Sequence, residues 1–168
     1  MANNYSQFST VISDLTQEEK NWIVGIPCFD DFIGSAESEE DGERLAKEFV
    51  EALAEYGIAI STDDEYLDVF PNFLGDIDSE GKWWLYAEEA GNLDHLSRVV
   101  QGFINKFRPD FIFTLTWADT CSKLRVNAFG GGWLAVSRDE VVFGNVYDAA
   151  EQAAAELRAK LARRAADA

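Results

Sequence analysis

The sequence predicts an α+β fold in which a mostly antiparallel sheet carries two or three amphipathic helices packed on it. Three observations support this prediction. The chain has 168 residues, 47% hydrophobic and 13% aromatic, which is enough to bury a core in a single domain spanning residues 1–168. Two long stretches repeat apolar residues with the period of a helix. Several shorter stretches, rich in β-branched and aromatic residues, lie between turn signals.

The first quarter of the chain predicts a strand followed by a short helix. The segment YSQFSTVI (5–12) is rich in aromatic and β-branched residues, as strands are. Thr16 and Glu19 have the spacing of a capping box, which predicts that a helix starts there. Pro27 lacks the backbone N–H that a helix interior needs, so we expect the helix to end before it.

The next strong signal is helical and covers residues 42–57. Its apolar residues recur at helical spacing and are Leu45, Phe49, Ala52, Leu53 and Tyr56. Gly57 suits the position just after the helix end. Residues 58–62 and 65–70 are then predicted as strands, and residues 76–82 (DIDSEGK) as a turn.

Residues 82–88 (KWWLYAE) predict a strand on which two tryptophans are adjacent. Trp83, Leu85 and Ala87 share one face of this strand, whereas Trp84 points to the other face. One of the two tryptophans is therefore expected to be exposed unless both faces are covered. Exposed aromatic side chains among charges are typical anchors of protein interfaces.

The second half of the chain opens with a helix and a strand. Residues 92–107 predict a helix with Asn92 as its N-cap, and residues 111–117 (FIFTLTW) predict a strand. The apolar face of the helix consists of Leu93, Leu96, Val99, Val100, Phe103, Ile104 and Phe107.

The C-terminal part predicts a hairpin and a last helix. Residues 132–137 and 140–144 flank a two-residue turn, which favours a β-hairpin. The glycine run from Phe129 to Trp133 is not followed by the Lys and Ser or Thr of a phosphate loop, so we interpret it as a tight entry into the hairpin. An alanine-rich helix is predicted from about Asp148, with basic residues at its end that suit the helix dipole.

Acidic residues are concentrated in one half of the chain. The net charge is −17, and residues 1–90 hold 22 acids and four bases. Residues 91–168, a near-neutral α/β region, hold nine acids and ten bases. The acidic region, about residues 30–89, has a net charge of −16. Such charge disfavours direct binding to nucleic acid or anionic lipid and favours cationic partners.

Two acidic stretches approach the spacing of an EF-hand calcium loop. From Glu37 to Glu48 the spacing fits, but Glu replaces Asp at two ligand positions and Arg44 occupies a position that is normally apolar. From Asp76–Gly81 the start is similar, but the twelfth position is Ala87, which offers no ligand. Acidic turns are the favoured interpretation, with calcium binding as the alternative at either stretch.

Histidine and cysteine give little sign of a zinc site or of nucleophilic catalysis. His95 is the only histidine and is expected to be partly exposed near the start of its helix. Cys28 and Cys121 show no paired spacing of the kind that a four-ligand zinc site uses. Cys121, with Asp119 and Lys123 nearby, is a candidate nucleophile, but a small buried hydrophobic role is the favoured interpretation.

Three segments resemble a family of small acidic proteins encoded on bacterial phages, plasmids and other mobile elements. They are CFDDFIGSAESEEDGE, WWLYAEEAGNLDHL and KFRPDFIFTLTWADTCSKLRVNAFGGG, and the resemblance covers Tyr5 to about Tyr147. The family is largely uncharacterised, so the resemblance implies no catalytic or ligand residues. It implies a mobile-element context, in which acidic inhibitors of host defence, some of which imitate DNA, are often encoded. Because the charge after residue 91 is balanced, any imitation of DNA is expected only in the acidic region.

These observations favour a non-enzymatic acidic inhibitor that needs no cofactor or metal. Its expected partner is a basic protein surface, the nucleic-acid-binding site of a host defence complex such as a CRISPR effector or a restriction enzyme. The expected partner-binding residues are all acids of the acidic region: Asp30, Asp31, Glu37, Glu39, Glu40, Asp41, Glu43, Asp63, Asp64 and Glu65. The alternatives are an acidic domain that binds a divalent cation or small ligand, or acids that serve solubility alone.

The expected location is the cytoplasm, without membrane attachment. The N-terminal segment MANNYSQFST lacks the basic and apolar regions of a signal peptide. No stretch of the sequence approaches the length of an apolar membrane span.

Overall fold

A computed structural model describes residues 4–28, 38–60, 73–89, 91–123 and 129–166, and within them the chain forms six strands and four helices. The strands are β1 (Asn4–Ile12), β2 (Leu74–Ile77), β3 (Trp83–Ala87), β4 (Phe113–Cys121), β5 (Gly130–Val136) and β6 (Val141–Asn145). The helices are α1 (Gln17–Gly25), α2 (Glu39–Glu55), α3 (Leu93–Phe107) and α4 (Val146–Ala166).

The six strands form one antiparallel sheet in the order β2-β3-β1-β4-β5-β6. The predicted α+β fold is confirmed. Strand β1 lies in the middle, with Ile12 opposite Trp83 of β3 and Asn4 opposite Cys121 of β4. The sheet therefore includes strands from both halves of the chain, because β1 joins the β2–β3 hairpin to the three C-terminal strands.

Helices pack on one face of the sheet, which we call the core face. Successive side chains of a strand point to opposite faces, so every second residue enters the core. The buried hydrophobic side chains of the sheet are Phe8, Ile12, Trp83, Leu85, Ala87, Phe113, Leu115, Leu134 and Val136. Helices α1, α2 and α3 contribute side chains such as Trp22, Phe49 and Phe103 to the same cluster. The opposite face, the open face, exposes Val11, Trp84 and Trp133.

The two N-caps that the sequence predicts are present. Thr16 and Glu19 form a capping box: the Thr16 hydroxyl accepts from the Glu19 amide at 3.2 Å, and the Thr16 amide donates to Glu19 Oε2 at 2.6 Å. The Asn92 side chain accepts from the His95 amide at 2.9 Å. These bonds satisfy amides that have no partner inside a helix, which fixes where α1 and α3 begin.

Some boundaries differ from the prediction. Helix α2 begins earlier, at Glu39, because Ser38 caps it. Strand β2 was not predicted, and it includes Asp76 and Ile77, the first two residues of the predicted turn over 76–82. Residues 58–60 are not in a strand, and the remainder of that predicted strand lies outside the described residues, together with the one over 65–70.

A buried ion pair joins the first helix to the end of the third. Glu19 is 3% exposed and accepts from Arg108 Nε at 2.6 Å and from Arg108 Nη2 at 3.1 Å. The guanidinium also donates to the carbonyl oxygens of Ser13 and Asp14 at 3.1 and 2.8 Å, and it lies 5.4 Å from the ring centre of Phe103. One side chain thus closes the β1–α1 connection against α3.

We predict that Arg108→Ala lowers the free energy of unfolding by about 3 kcal/mol, because it leaves the Glu19 carboxylate buried without its cation. Urea unfolding at neutral pH measures this loss. The control is Arg138→Ala, which removes an exposed cation paired with exposed Asp139 at 3.2 Å and should cost about 1 kcal/mol or less. Equal losses in the two variants would contradict a special role for Arg108.

We also predict that Glu19 makes the free energy of unfolding depend on pH in the acidic range. The hydrogen bonds from Arg108 hold the pKa of Glu19 below its ordinary value of 4.5, although burial acts in the opposite direction. When folding lowers the pKa of a carboxylate, the carboxylate stabilises the folded state. This stabilisation is complete when the pH is above the pKa of the group in the unfolded chain, and it is lost as the pH falls through the pKa in the folded protein. The difference in unfolding free energy between the wild type and Glu19→Gln should therefore stay constant above about pH 5 and shrink below it. A difference that stays unchanged down to about pH 2 would contradict this account.

Candidate protein-binding surface

The structure describes four of the ten acids expected to bind a partner, and all four lie at the start of α2. Glu39, Glu40, Asp41 and Glu43 belong to its first two turns. The other six lie outside the described residues: Asp30, Asp31, Glu37, Asp63, Asp64 and Glu65. The described part of the expected site is therefore one end of a helix.

Local chemistry explains why a helix forms over so acidic a segment. The Ser38 hydroxyl accepts from the Asp41 amide at 3.2 Å and donates to Asp41 Oδ2 at 3.1 Å. Carboxylates near a helix N-terminus are stabilised by the helix dipole. Arg44 lies 2.6 Å from Glu48 and 3.5 Å from Asp41, and the hydrogen bond to Glu48 raises the pKa of Arg44.

Burial of the opposite side of α2 fixes which acids face solvent. Phe49 and Leu53 are buried in the core cluster and Leu45 is buried as well, so the polar side of the helix points outward. Helix α2 carries seven acids and two bases. The outer row consists of four exposed acids that form no ion pair with any described residue: Glu40, Glu43, Glu51 and Glu55.

Two members of the outer row, Glu51 and Glu55, were not among the expected partner-binding residues. The expectation followed the local density of acids, which falls after Glu43. Helical spacing carries the missing signal, because residues three and four apart lie on the same side of a helix. Lys47 lies within the same stretch and is also exposed, so the row is acidic but not uniform.

The two calcium-like stretches have other structures. Gly42 lies inside α2, so residues 39–48 form a continuous helix instead of a loop that wraps an ion. In the β2–β3 turn, Asp78 Oδ1 accepts from the amides of Glu80 and Lys82, both at 2.9 Å. Gly81 has a positive φ of 78°, which suits this tight turn. Within the described ranges, no three His, Cys, Asp or Glu side chains come together in a way that could hold a metal ion.

Trp84 is the exposed member of the tryptophan pair, as the strand pattern predicts. Trp83 is 2% exposed and Trp84 is 38% exposed. The Trp84 ring stacks on Tyr86 with 4.0 Å between ring centres, and its Nε1 donates to Ser9 Oγ at 2.8 Å. Asp76 lies opposite Trp84 in the sheet. Trp84 lies on the open face, so the sheet separates it from α2.

The expectation of a partly exposed His95 is wrong. His95 is 4% exposed and packs against Phe49 and Phe73, with ring centres 6.1 and 5.7 Å away. It lies on the apolar side of α3, where the turn after the N-cap brings position 95 over the core. A single polar residue at such a position gives no sequence signal of its own burial.

The two cysteines are free thiols, and the structure keeps Cys121 away from His95. Cys121 pairs with Asn4 at one end of β1, whereas His95 lines the cavity next to Trp83, which pairs with Ile12 at the other end. At ~3.3 Å per strand residue, those ends are about 26 Å apart. A Cys121–His95 catalytic pair is therefore not assembled.

The glycine run forms the tight strand entry that the sequence predicts. A Cβ added at Gly131 would lie 2.3 Å from the carbonyl oxygen of Trp117, and Gly131 has a φ of 149°. A Cβ at Gly132 would lie 2.3 Å from the Trp117 ring. Glycine is thus needed because Trp117 lies directly over β5.

A cavity of about 240 Å³ lies between α1, α2, α3 and β2. Most of its lining is apolar, including Ile23, Leu53 and Val99, and Asp76 also contributes. The Trp83 indole N–H is buried and makes no hydrogen bond to a described residue, but it lies against the backbone of Gly75, where an added Cβ would be 3.1 Å away. The cavity therefore offers a ligand mainly apolar contact.

Comparison of the chain with protein-family models, curated proteins and solved structures finds no match. No helix among the described residues combines the length and the apolar character needed to cross a membrane.

We predict that Gly42→Ala raises the free energy of unfolding by about 0.5–1 kcal/mol, because alanine restricts the unfolded chain and favours helix. An added Cβ at Gly42 meets nothing within 4 Å. The matched control is Gly57→Ala, where the space is equally empty but φ is +77°. Gly57→Ala should lower the free energy of unfolding in the same urea titration, because alanine is strained at a positive φ. A destabilised Gly42→Ala would mean that α2 does not extend through position 42.

Proposed function

We propose that this protein is a non-enzymatic acidic interaction protein that uses α2 to occupy a basic, nucleic-acid-binding groove on another protein. The observation that carries the proposal is the outer row of α2, Glu40, Glu43, Glu51 and Glu55, whose carboxylates are exposed and form no ion pair with a described residue. Carboxylates already bound to a neighbouring cation would have less charge to offer a partner. These four can each meet a Lys or Arg.

The dimensions of α2 suit a groove that holds nucleic acid. Seventeen residues at a rise of ~1.5 Å give a rod of about 25 Å. Duplex DNA carries one charge per ~1.7 Å of axis, counted over both strands, which corresponds to ~3.4 Å per base pair. About eight base pairs therefore have a similar length to α2. Buried Phe49 and Leu53 hold the rod against the sheet, so its charges stay on one side. Such a surface would attract a basic groove over a distance and speed association at low salt.

The distribution of charge favours this proposal over solubility alone. Acids that serve only solubility need no particular half of the chain, whereas here the excess lies within the acidic region and residues 91–168 are nearly neutral. Clustered like charges repel each other and destabilise the folded state, so a basic partner supplies a physical reason for their retention. A host defence nuclease, such as a CRISPR effector or a restriction enzyme, is the class of partner we propose.

Trp84 would serve a separate contact. Because it lies on the open face with Tyr86, a groove that holds α2 cannot also cover Trp84 unless it reaches around the β2 edge of the sheet. The proposal therefore rests on the charges of α2 and assigns the aromatic pair no part in gripping them.

We predict that reversing three charges of the outer row, with Glu40→Lys, Glu43→Lys and Glu51→Lys together, weakens partner binding at least about 100-fold at low salt. Each reversal replaces an attraction by a repulsion worth about 1 kcal/mol or more at a basic surface. The measurement uses partner captured from bacterial lysate on the immobilised protein and released by competing duplex DNA. Its affinity for the wild type and for the variant is then compared over a range of salt concentrations.

The matched control reverses three exposed acids of the near-neutral region, Asp110, Asp139 and Glu140, and changes the net charge by the same amount. It should bind with nearly the affinity of the wild type. The proposal fails if the α2 variant keeps its affinity and salt dependence, or if both triple variants lose binding equally, since the second result would reflect net charge and not α2.

A further inference from the structure

Helix α4 begins on the sheet and then extends away from it. The Asn145 side chain accepts from the Asp148 amide at 2.8 Å and donates to Asp148 Oδ2 at 2.7 Å, and the Tyr147 hydroxyl donates to the Phe129 carbonyl. These bonds fix the first turn on β5 and β6. Beyond it, residues 149–160 are exposed except for half-buried Ala154. A helix so firmly held at one end therefore presents most of its length to solvent.

The exposed part of α4 is not purely polar. Leu157 is 60% exposed. Among the exposed large hydrophobic side chains of the described residues, Val24 and Ile112 have higher exposed fractions. Leu157 lies on the same side of the helix as half-buried Ala154, three residues earlier, and Ala150, seven residues earlier. The side of α4 that carries these two alanines thus also presents an exposed leucine to solvent.

Charge on α4 is divided along its axis. Asp148, Glu151 and Glu156 precede Ala159, whereas Lys160 and Arg163 follow it, and Arg158 stands beside it. The helix holds three acids and four bases, of which the fourth base is Arg164. Because α4 carries a net charge of +1 in a chain whose net charge is −17, two copies can approach each other at α4 with little repulsion.

We propose that α4 pairs with α4 of a second copy in antiparallel orientation, which makes the protein a twofold-symmetric dimer. The twofold axis passes between Ala154 and Ala155, which lie midway between Glu151 and Arg158. Glu151 of each copy therefore faces Arg158 of the other copy. Leu157 then packs against the small side chains around Ala154 of the second copy. A parallel pair would place acids beside acids and bases beside bases.

Within one copy, Glu151 and Arg158 are already neighbours, seven residues apart. Their closest atoms are 3.7 Å apart, and the side chains are 79% and 69% exposed. A pair so exposed adds little to the stability of a single helix. In the dimer the same side chains form two symmetric cross-copy pairs with less access to water. Acids near the start and bases near the end of α4 also suit the dipole of a single helix. If the charges served only that purpose, the protein would be a monomer.

The test is sedimentation equilibrium of the full chain over a range of concentrations at low salt. We expect a dimer for the wild type. Glu151→Arg and Arg158→Glu should each raise the dimer dissociation constant about tenfold, because each replaces two opposite-charge contacts by two like-charge contacts. The double variant Glu151→Arg/Arg158→Glu should return to the wild-type constant. Leu157→Glu should weaken the dimer as well.

Circular dichroism should show that all four variants remain folded, since the replaced side chains are exposed. A wild type that stays monomeric throughout, single reversals without effect, or a double variant that does not recover would each overturn the proposal. The dimer is independent of the role proposed for α2. The triple variant Glu40→Lys/Glu43→Lys/Glu51→Lys should dimerise normally, so loss of partner binding and loss of the dimer are distinguishable.

Discussion

The structure depends on the packing of α3 against the core face of the sheet, which Arg108 completes at the end of that helix. Phe103 of α3 lies 5.4 Å from Trp83 of β3 and 6.0 Å from Trp22 of α1, measured between ring centres. Arg108 lies over the Phe103 ring and carries the bonds to Glu19. Aromatic contacts and one buried ion pair therefore connect three elements from distant parts of the chain. Such a cluster is sensitive to single changes, because a buried charge has no low-energy alternative to its partner.

The one-sided packing also decides where each candidate surface lies. Helix α2 enters the core through Phe49 and Leu53, so its carboxylates face away from the sheet. Trp84 follows Trp83 in the strand, so burial of one places the other on the open face. Helix α4 follows β6 directly and leaves the sheet at its edge. The outer row of α2, the aromatic pair and the C-terminal helix are consequently three separate surfaces.

Local patterns predicted what depends on local chemistry. The capping box at Thr16 and the side of α3 that is buried follow from spacing within a few residues. The sequence did not predict strand β2, because its four residues are mostly exposed and lack the alternation of a half-buried strand. The ion pair of Glu19 with Arg108 joins residues 89 positions apart, and no local pattern indicates which acid of 31 finds that arginine. For the candidate site, the density of acids drew attention to the start of α2, but only the geometry shows which carboxylates are exposed along that helix.

Carboxyl footprinting of the complex tests the central claim most directly. A carbodiimide label, read by mass spectrometry, reports the accessibility of each acid in the free protein and in the protein bound to its partner. If α2 occupies a basic groove, labelling of Glu40, Glu43 and Glu51 should fall sharply on binding, while Asp139 and Glu140 stay as reactive as before. Carboxylates of α2 that label equally in the free and bound protein would contradict the account.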